Sequence, residues 1–592
     1  MHWKASITAL LVLLTTSAYT FANAGPKQTP PNPSTQALHA LFDADWESAL
    51  AHEPVWASYL GEKRFNRRWG DSSIAAEQAK TQRLKTSLAA LQKIERSQLS
   101  PADRINYDLY QRKLRQGIEA QRFQRYLAPM SQRGGIQSIQ NFTQFLALNT
   151  EQDYRDWLAR LDTLDQQIAT HIALMREGMR TGVMPPKIVM SRVPKQLTMQ
   201  LVDTPTDSPF YKAFADISDN ITPATQRALQ QQAQAIIKTK LLPAYQTFND
   251  FFVNEYLPAC RDTVGIWDTP NGKDYYSFLA RSFTTTNMTP DAIHALGLAE
   301  VARIKAQMHD IIKEVKFKGD FEAFLQFLRT DPQFYYDNPD DLFNAYLAIS
   351  KRIDPELVKL FGHLPRMPYG LRPIPEAQAP DTTTAYYSSP AADGSRAGYY
   401  YVNLYQPETR PKYEMEVLSV HEAVPGHHLQ IAIQQELGDL PNFRKYDGFT
   451  AFTEGWGLYS ESLGYELGLY KDPYSRFGQL TYEMWRAVRL VVDTGMHYKK
   501  WTRRQAIDYF KANAAKSEQD IVNEVDRYII MPGQALAYKI GQLKISELRQ
   551  RATQELGDKF DIRAFHDLVL GSGAVPLDVL EDMVDEWIAS KR

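Results

Sequence analysis

Apolar residues recur at intervals of three and four over most of the first 330 residues, the spacing expected of helices with one buried face. In one such stretch the apolar stripe comprises Trp157, Leu158, Leu161, Leu164, Ile168 and Ile172. Start signals for two more helices are present, because Ser100 precedes Pro101 and Thr289 precedes Pro290. We therefore predict that this part of the chain consists of helices packed against one another.

The helical pattern stops between about 365 and 410, where Pro, Gly, Tyr and Thr are dense. The runs "TTTAYY" and "AGYYYVNLY", separated by the turn-like "PAADGSR", predict two strands at about 380–405. Helical spacing then resumes to the end of the chain. The predicted fold class is mainly α, with an N-terminal helical region at 37–330 and a C-terminal region at 331–592 that contains the small β element.

The first residues follow neither pattern. A lysine near the start, an apolar run of about a dozen residues and the triplet "ANA" predict a signal peptide over residues 1–24. The Pro-rich residues 25–36 are expected to be disordered. No other apolar run is long enough to cross a bilayer, so we expect no stable membrane insertion of the mature chain. The protein is thus predicted to be exported, to the periplasm or beyond.

Composition narrows the classes of partner. The 592 residues carry a formal net charge of −2, which argues against nucleic acid or an anionic membrane as the main partner. A hydrophobic content of 44% with 23% charged residues is typical of a globular protein with a packed core. The single cysteine, Cys260, rules out an internal disulfide, and its apolar surroundings predict a core position. No feature of the sequence indicates an oligomeric state.

The candidate chemistry lies in "HEAVPGHH", which holds three of the twelve histidines. Zinc-protease helices read H-E-x-x-H, with two histidine ligands four residues apart and the glutamate as general base. Here Pro425 stands where the second histidine would be, and the next histidines are His427 and His428. Because proline has no N–H to bond the carbonyl of His421, we predict a bulge that absorbs two residues and restores the zinc-binding geometry.

A third ligand is expected in "FTEGWGLYSESLGYELGLY", downstream of the histidines. Glu454 and Glu461 are seven residues apart and share one helical face. We predict that Glu454 completes a site for one zinc ion with His421 and His427. The alternative is structural, because histidines near a Pro-Gly break often cap a helix end and such glutamate pairs often face solvent.

Four segments in this order carry a family resemblance: "HEAVPGHHLQ", "FTEGWGLYSE", "RLVVDTGMH" and "MPGQALAYKIG". They resemble a large bacterial family of unknown-function proteins with the signature HExxPGHH, which is itself similar to the helical gluzincins, the thimet-type oligopeptidases and Taq-type carboxypeptidases. This resemblance covers most of the mature chain. It implies a large two-lobed helical body with a zinc site in a deep cleft, and the order of the segments along the chain puts the predicted small sheet next to that site. The two-residue insertion leaves His427 and His428 both open as second ligand, and His427 is favoured.

Residue roles follow from zinc-peptidase chemistry. Zinc would polarise the scissile carbonyl, and Glu422 would take a proton from the attacking water. Tyr538 is the first candidate to donate a hydrogen bond to the oxyanion, and His497 is the second. Glu461 is expected to orient a ligand histidine or, like His428, to be an alternative ligand.

Substrate contacts are predicted on two elements. The strand "AGYYYVNLY", with Tyr400 and Asn403, is a candidate edge strand for pairing with an extended peptide, although a packed hairpin is equally compatible. Arg486 and Arg489 are candidates for clamping a substrate carboxylate, although such arginines commonly pair with an internal carboxylate.

Together these features predict an exported zinc metallopeptidase that hydrolyses oligopeptides or dipeptides. Two alternatives remain at this point. One is a non-catalytic periplasmic peptide-binding or chaperone-like protein, and the other is a zinc amidohydrolase that acts on a non-peptide amide. The sequence does not separate an endopeptidase from an exopeptidase.

Overall fold

The structure of the protein is a computed structural model that describes residues 32–376, 379, 383–390, 394, 396–438 and 440–592. The predicted signal peptide at 1–24 lies outside the described residues, as do residues 25–31 of the predicted disordered lead. Residues 33–36 of that lead are helical, because the side chain of Asn32 caps the first helix by accepting a hydrogen bond from the Thr35 N–H. No helix of the described chain combines the length and apolar character needed to cross a membrane.

Helices build the first part of the described chain. They are α1 (Pro33–His52), α2 (Pro54–Tyr59), α3 (Ile74–Leu91), α4 (Pro101–Ala120), α5 (Glu151–Leu161), α6 (Leu164–Thr181), α7 (Lys187–Met190), α8 (Val193–Thr198), α9 (Lys212–Ala215), α10 (Pro223–Ile236), α11 (Leu242–Phe251), α12 (Leu257–Ala259), α13 (Gly272–Thr284), α14 (Pro290–Glu314), α15 (Phe321–Thr330) and α16 (Pro339–Ile353). The predicted starts of α4 and α14 are confirmed by side-chain caps from Ser100 and Thr289. The apolar stripe around Trp157 is divided between α5 and α6, and Trp157 itself is fully buried.

A small sheet follows these helices. Its strands are β1 (Tyr369–Pro373), β2 (Ala385–Ser388) and β3 (Gly398–Val402). Their order is β1-β3-β2, with β3 parallel to β1 and antiparallel to β2. The two predicted strands correspond to β2 and β3, and the turn predicted between them lies largely outside the described residues. The prediction that β3 is an edge strand was wrong, because β1 pairs with its other side.

The remaining helices complete a mainly α fold, as predicted. They are α17 (Met415–Glu422), α18 (His427–Glu436), α19 (Asn442–Tyr446), α20 (Thr450–Ser462), α21 (Pro473–His497), α22 (Arg503–Lys511), α23 (Glu518–Ile530), α24 (Ala537–Leu556), α25 (Ile562–Gly571) and α26 (Leu577–Lys591). Almost every residue of α21 is buried, and α14 packs along it. The fully buried Lys539 pairs with Glu300 of α14 and Glu483 of α21. Strong contacts thus cross the boundary predicted near residue 330.

Two glycines allow α20 and α24 to cross with their backbones almost touching. A Cβ atom on Gly541 would lie 1.9 Å from the carbonyl oxygen of Ala451, and one on Gly455 would lie 2.5 Å from the Cα of Gly541. Such distances leave no room for a methyl group. The crossing sets the position of α20, the helix that carries Glu454 and Glu461.

We expect Gly541→Ala to lower the free energy of unfolding by about 2 kcal/mol or more, because the added methyl group forces the two helices apart. Thermal unfolding followed by circular dichroism measures the change. Gly571→Ala is the matched control, since Gly571 ends a helix and a methyl group added there would have nothing within 4 Å. Equal melting temperatures for the two variants would contradict the tight crossing.

Candidate metal centre

The segment 423–426 interrupts what would otherwise be one helix. Ala423 (φ −101°, ψ −105°) and Gly426 (φ −73°, ψ −127°) both leave the helical region. The N–H of Gly426 donates to the carbonyl of Val420, six residues back, at 2.9 Å, and the N–H of His428 donates to Ala423, five residues back, at 3.0 Å. A regular helix bonds four residues back. The predicted bulge is therefore a full break between α17 and α18 that takes up two extra residues.

Close packing makes glycine necessary at the end of this break. A Cβ atom on Gly426 would lie 2.0 Å from the carbonyl oxygen of His421. The preceding Val424–Pro425 peptide bond is cis. From α20, the indole N–H of Trp456 donates to the carbonyl of Pro425 at 2.8 Å. The break is thus held on one side by α17 and on the other by α20.

The break brings two histidines and a glutamate together. The Nε2 atoms of His421 and His427 lie 3.8 and 3.4 Å from Oε2 of Glu454, and one ligand atom from each residue lies within 4.8 Å of the others. Ligands at about 2.1 Å from a tetrahedral zinc ion are about 3.4 Å from one another. The donor set and its spacing therefore fit zinc, with three protein ligands and room for a fourth position.

Gly457 provides the space in which both imidazoles lie against α20. A Cβ atom at this position would stand 2.9 Å from Cε1 of His421 and 3.2 Å from Cε1 of His427. The two rings meet edge to face with centroids 4.7 Å apart. A side chain at 457 would push the rings away from Glu454, one turn earlier on the same helix.

His421 is oriented by a buried carboxylate. Its Nδ1–H donates to Oε1 of Glu461 at 2.7 Å, which fixes the ring with Nε2 facing Glu454. Glu461 is fully buried and lies 3.5 Å from the guanidinium of Arg486. Burial lowers the pKa of His421, but the carboxylates of Glu454 and Glu461 outweigh burial and raise it to about 9. Glu461 therefore orients His421, which was one of its two predicted roles. It is not part of the ligand cluster, so the other predicted role, as an alternative ligand, does not apply.

His428 has a different role from its neighbour. Its Nε2–H donates to the carbonyl of Met367 at 3.0 Å, and its Nδ1 accepts from the hydroxyl of Tyr387 at 2.8 Å. Burial lowers its pKa to about 4, so the ring is neutral. Both nitrogens are occupied by the loop before β1 and by β2. His428 thus ties α18 to the sheet, and the structure brings His427 to the ligand cluster.

A cavity of about 300 Å³ opens beside the ligand cluster. Glu422, half-buried on the last turn of α17, lines it together with all three clustered residues. Tyr538 of α24 lines it as well, and burial followed by the charge of Glu454 raises the pKa of its phenol. The phenol therefore stays protonated at neutral pH and is able to donate a hydrogen bond. The predicted positions of Glu422 and Tyr538 are compatible with their proposed roles.

The prediction for His497 was wrong. This residue is fully buried at the end of α21, where Nδ1 accepts from the Ile266 N–H at 3.0 Å and Nε2–H donates to the carbonyl of Tyr528 at 2.9 Å. Burial lowers its pKa to about 3, so it remains neutral. His497 does not line the cavity, because the turn before α13 and the helix α23 enclose it.

Two of the predicted substrate contacts are also corrected. Tyr400 is fully buried in the central strand β3, with its ring edge to face with that of Tyr346. Asn403 is 1% exposed and donates to the carbonyls of Ala379 and Thr383 at 2.8 and 3.2 Å. Both side chains are buried against other parts of the protein, so neither faces the cavity. The strand that lines the cavity is β2, through Ala385 to Tyr387.

Both predicted arginines reach the cavity wall, but each has an internal partner. Arg486 lies beside Glu461, and Arg489 donates to Glu524 at 3.1 Å and to the hydroxyl of Tyr528 at 2.9 Å. The cavity is further lined by residues that the sequence did not single out: Arg133, Tyr387, Tyr482, Trp485, Glu524 and Arg527. Glu524 and Arg527 are spaced like an ordinary helical ion pair, and Arg133 is followed only by a Gly-Gly turn signal. Nothing in their local sequence pointed to the site.

We expect His427→Ala to lose the metal and His428→Ala to keep it. Of these two adjacent histidines, His427 faces Glu454 and His428 faces the sheet. Elemental mass spectrometry of both purified variants, after incubation with zinc and gel filtration, measures about one zinc per chain or none. The two variants are matched controls for each other, since they remove adjacent imidazoles. Loss of zinc from His428→Ala with retention in His427→Ala would contradict the assignment.

Comparison with known proteins places the chain in a family. The family model for bacterial proteins of unknown function, DUF885, matches residues 54–584. A Colwellia psychrerythraea crystal structure described as a "putative lipoprotein" is 30% identical, with a TM-score of 0.87 over 94% of this chain and 100% of its own. A Shewanella oneidensis "putative lipoprotein of unknown function" shares the fold at 19% identity, with a TM-score of 0.72 over 93% and 99%. No curated protein matches this sequence significantly. Because the family model spans far more than half of its length, the chain belongs to the DUF885 family.

Proposed function

We propose that the protein is an exported zinc-dependent peptidase that hydrolyses peptide bonds in oligopeptides or dipeptides. The observation that carries the proposal is the cluster of His421, His427 and Glu454 at the wall of a cavity that Glu422 also lines. A structural histidine cluster has no need of a free carboxylate next to its first member. A hydrolytic site needs one.

Glu422 is the general base in this proposal. It accepts a proton from the attacking water as the water oxygen bonds to the carbonyl carbon, and it delivers the proton to the leaving nitrogen as the C–N bond breaks. When bound, zinc supplies a Lewis acid that polarises the carbonyl and lowers the pKa of water to about 7. The position of Glu422 directly after His421 in α17 keeps the base beside the site.

Tyr538 is the proposed donor to the oxyanion. Its ring is covered by the guanidinium of Arg489 at 4.3 Å, and its hydroxyl oxygen accepts a long hydrogen bond of 3.4 Å from Gln534. The phenolic proton is therefore available to the substrate. A donor held rigidly in a partly dry cavity stabilises developing negative charge more than water does.

Short peptides suit the cavity better than folded proteins. Its volume of about 300 Å³ is at the small end of ligand cavities. The edge strand β2 lines it, so the main chain of an extended peptide has a strand with which to pair. In this proposal β2, and not the predicted β3, is the strand that pairs with the substrate.

The export component has separate support. The apolar N-terminal segment predicts it, and the Colwellia and Shewanella structures are each described as a "putative lipoprotein". We propose the periplasm as the compartment, with secretion as the alternative.

We expect Glu422→Gln to bind zinc normally but to lower kcat for peptide hydrolysis by about 10²–10⁴-fold, because the amide cannot take the proton. Hydrolysis of a defined peptide library, read by mass spectrometry, measures the loss. Glu408→Gln, on an exposed turn, is the control and should match the wild type. Wild-type rates in a zinc-loaded Glu422→Gln protein would overturn the mechanism, and binding without cleavage by the wild type would favour a peptide-binding protein.

A further inference from the structure

One end of the cavity carries an excess of positive charge. Arg133, Arg489 and Arg527 line it there, with Glu524 as their carboxylate neighbour. Three guanidinium groups face one carboxylate, so this part of the wall has a surplus of cations. The metal ligands and Glu422 line the same cavity.

Two of these arginines are committed to the protein interior. Arg489 and Arg527 both donate to Oε2 of Glu524, at 3.1 and 3.0 Å. Arg489 is 3% exposed and also stacks on the ring of Trp485 at 4.6 Å. Neither guanidinium can turn to a ligand without leaving a buried charge unpaired. Together the two guanidinium groups neutralise the carboxylate of Glu524 and leave one net positive charge at this part of the wall.

Arg133 differs from both. Its side chain is exposed to the cavity, and within the described part of the chain no hydrogen bond or ion pair engages its guanidinium. A guanidinium in this setting gains from an anion that arrives with the substrate. Such an anion would be bound through two parallel hydrogen bonds if it were a carboxylate.

The loop that carries Arg133 is firmly built. The N–H groups of Ser131 and Gly134 each donate to the other residue's carbonyl, at 2.9 and 3.2 Å, which closes a tight turn with Arg133 near its tip. The side chain of Gln132 donates to the carbonyl of Asp526 on α23 at 3.3 Å. Gly135 follows with φ +147°, a conformation that favours glycine. The turn therefore holds Arg133 against the helix that carries Glu524 and Arg527.

We propose that Arg133 binds the free C-terminal carboxylate of the peptide substrate, so that the protein acts as a carboxypeptidase-type exopeptidase. This inference rests on the proposed peptidase function. A sphere of about 300 Å³ is roughly 8 Å across, the length of about two residues of extended chain. A carboxylate held at Arg133 thus belongs within a residue or two of the bond that is cleaved.

The test compares three N-acetylated peptides of the same length: one with a free C-terminal acid, one with a C-terminal amide, and one amide with an internal glutamate. We expect wild-type kcat/KM to be about 10–100-fold higher for the free acid than for either amide. Arg133→Ala should remove this preference by lowering the value for the acid alone, and Arg133→Lys should restore part of it. Arg227→Ala, which removes an exposed arginine of α10 that does not line the cavity, should change nothing.

A binding measurement separates this inference from the proposed function. Isothermal titration calorimetry of the zinc-loaded Glu422→Gln protein should give a Kd for the free acid about 10-fold or more below that for the amide, with the difference lost in Glu422→Gln/Arg133→Ala. Cleavage of acid and amide at equal rates would overturn the role of Arg133 while leaving the peptidase intact. A preference for the internal glutamate would assign the site to an acidic side chain and would also overturn it. If no peptide is cleaved, the proposed function fails, and the calorimetry alone decides whether Arg133 binds a carboxylate.

Discussion

The backbone of Gly426 lies against the carbonyl groups of Val420 and His421, and the candidate metal centre depends on this contact. This contact closes the break at 423–426, which holds two residues more than a regular helix would. His427 therefore lies on the same side of α17 as His421. Any side chain at 426 would force the two helices apart. Both imidazoles can then meet Glu454 only because α20 approaches closely, and its glycines allow that approach.

Charge pairing in the interior explains why most polar groups around the cavity are already engaged. A buried charge is costly unless a partner neutralises it. Glu461 lies between His421 and Arg486, and Glu524 lies between two other arginines. These pairs orient the ligand histidine and stiffen the cavity wall. Against this background the guanidinium of Arg133, like the carboxylate of Glu422, has no hydrogen-bond or ion-pair partner among the described residues, and this suggests a substrate contact.

The parts of the site that could be predicted from sequence are those governed by local chemistry. The missing N–H of Pro425 predicted the break, and the seven-residue spacing of two glutamates predicted their shared face. The sequence favoured His427 but left His428 open, because the choice depends on the backbone dihedrals at the end of the break. The order of the strands could not be predicted either, since β1 pairs with a strand some thirty residues later in the chain. The same holds for the place of Arg133 at the cavity, because this residue precedes the metal ligands by nearly 300 residues. Non-local packing decides both.

The account depends most on the claim that His421, His427 and Glu454 hold one metal ion. Anomalous diffraction from crystals grown with zinc, collected on both sides of the zinc absorption edge, tests this claim directly. We predict one strong peak at about 2.0–2.2 Å from Nε2 of both histidines and from the carboxylate of Glu454. No peak at this position, or a peak bound by His428 instead, would contradict the account.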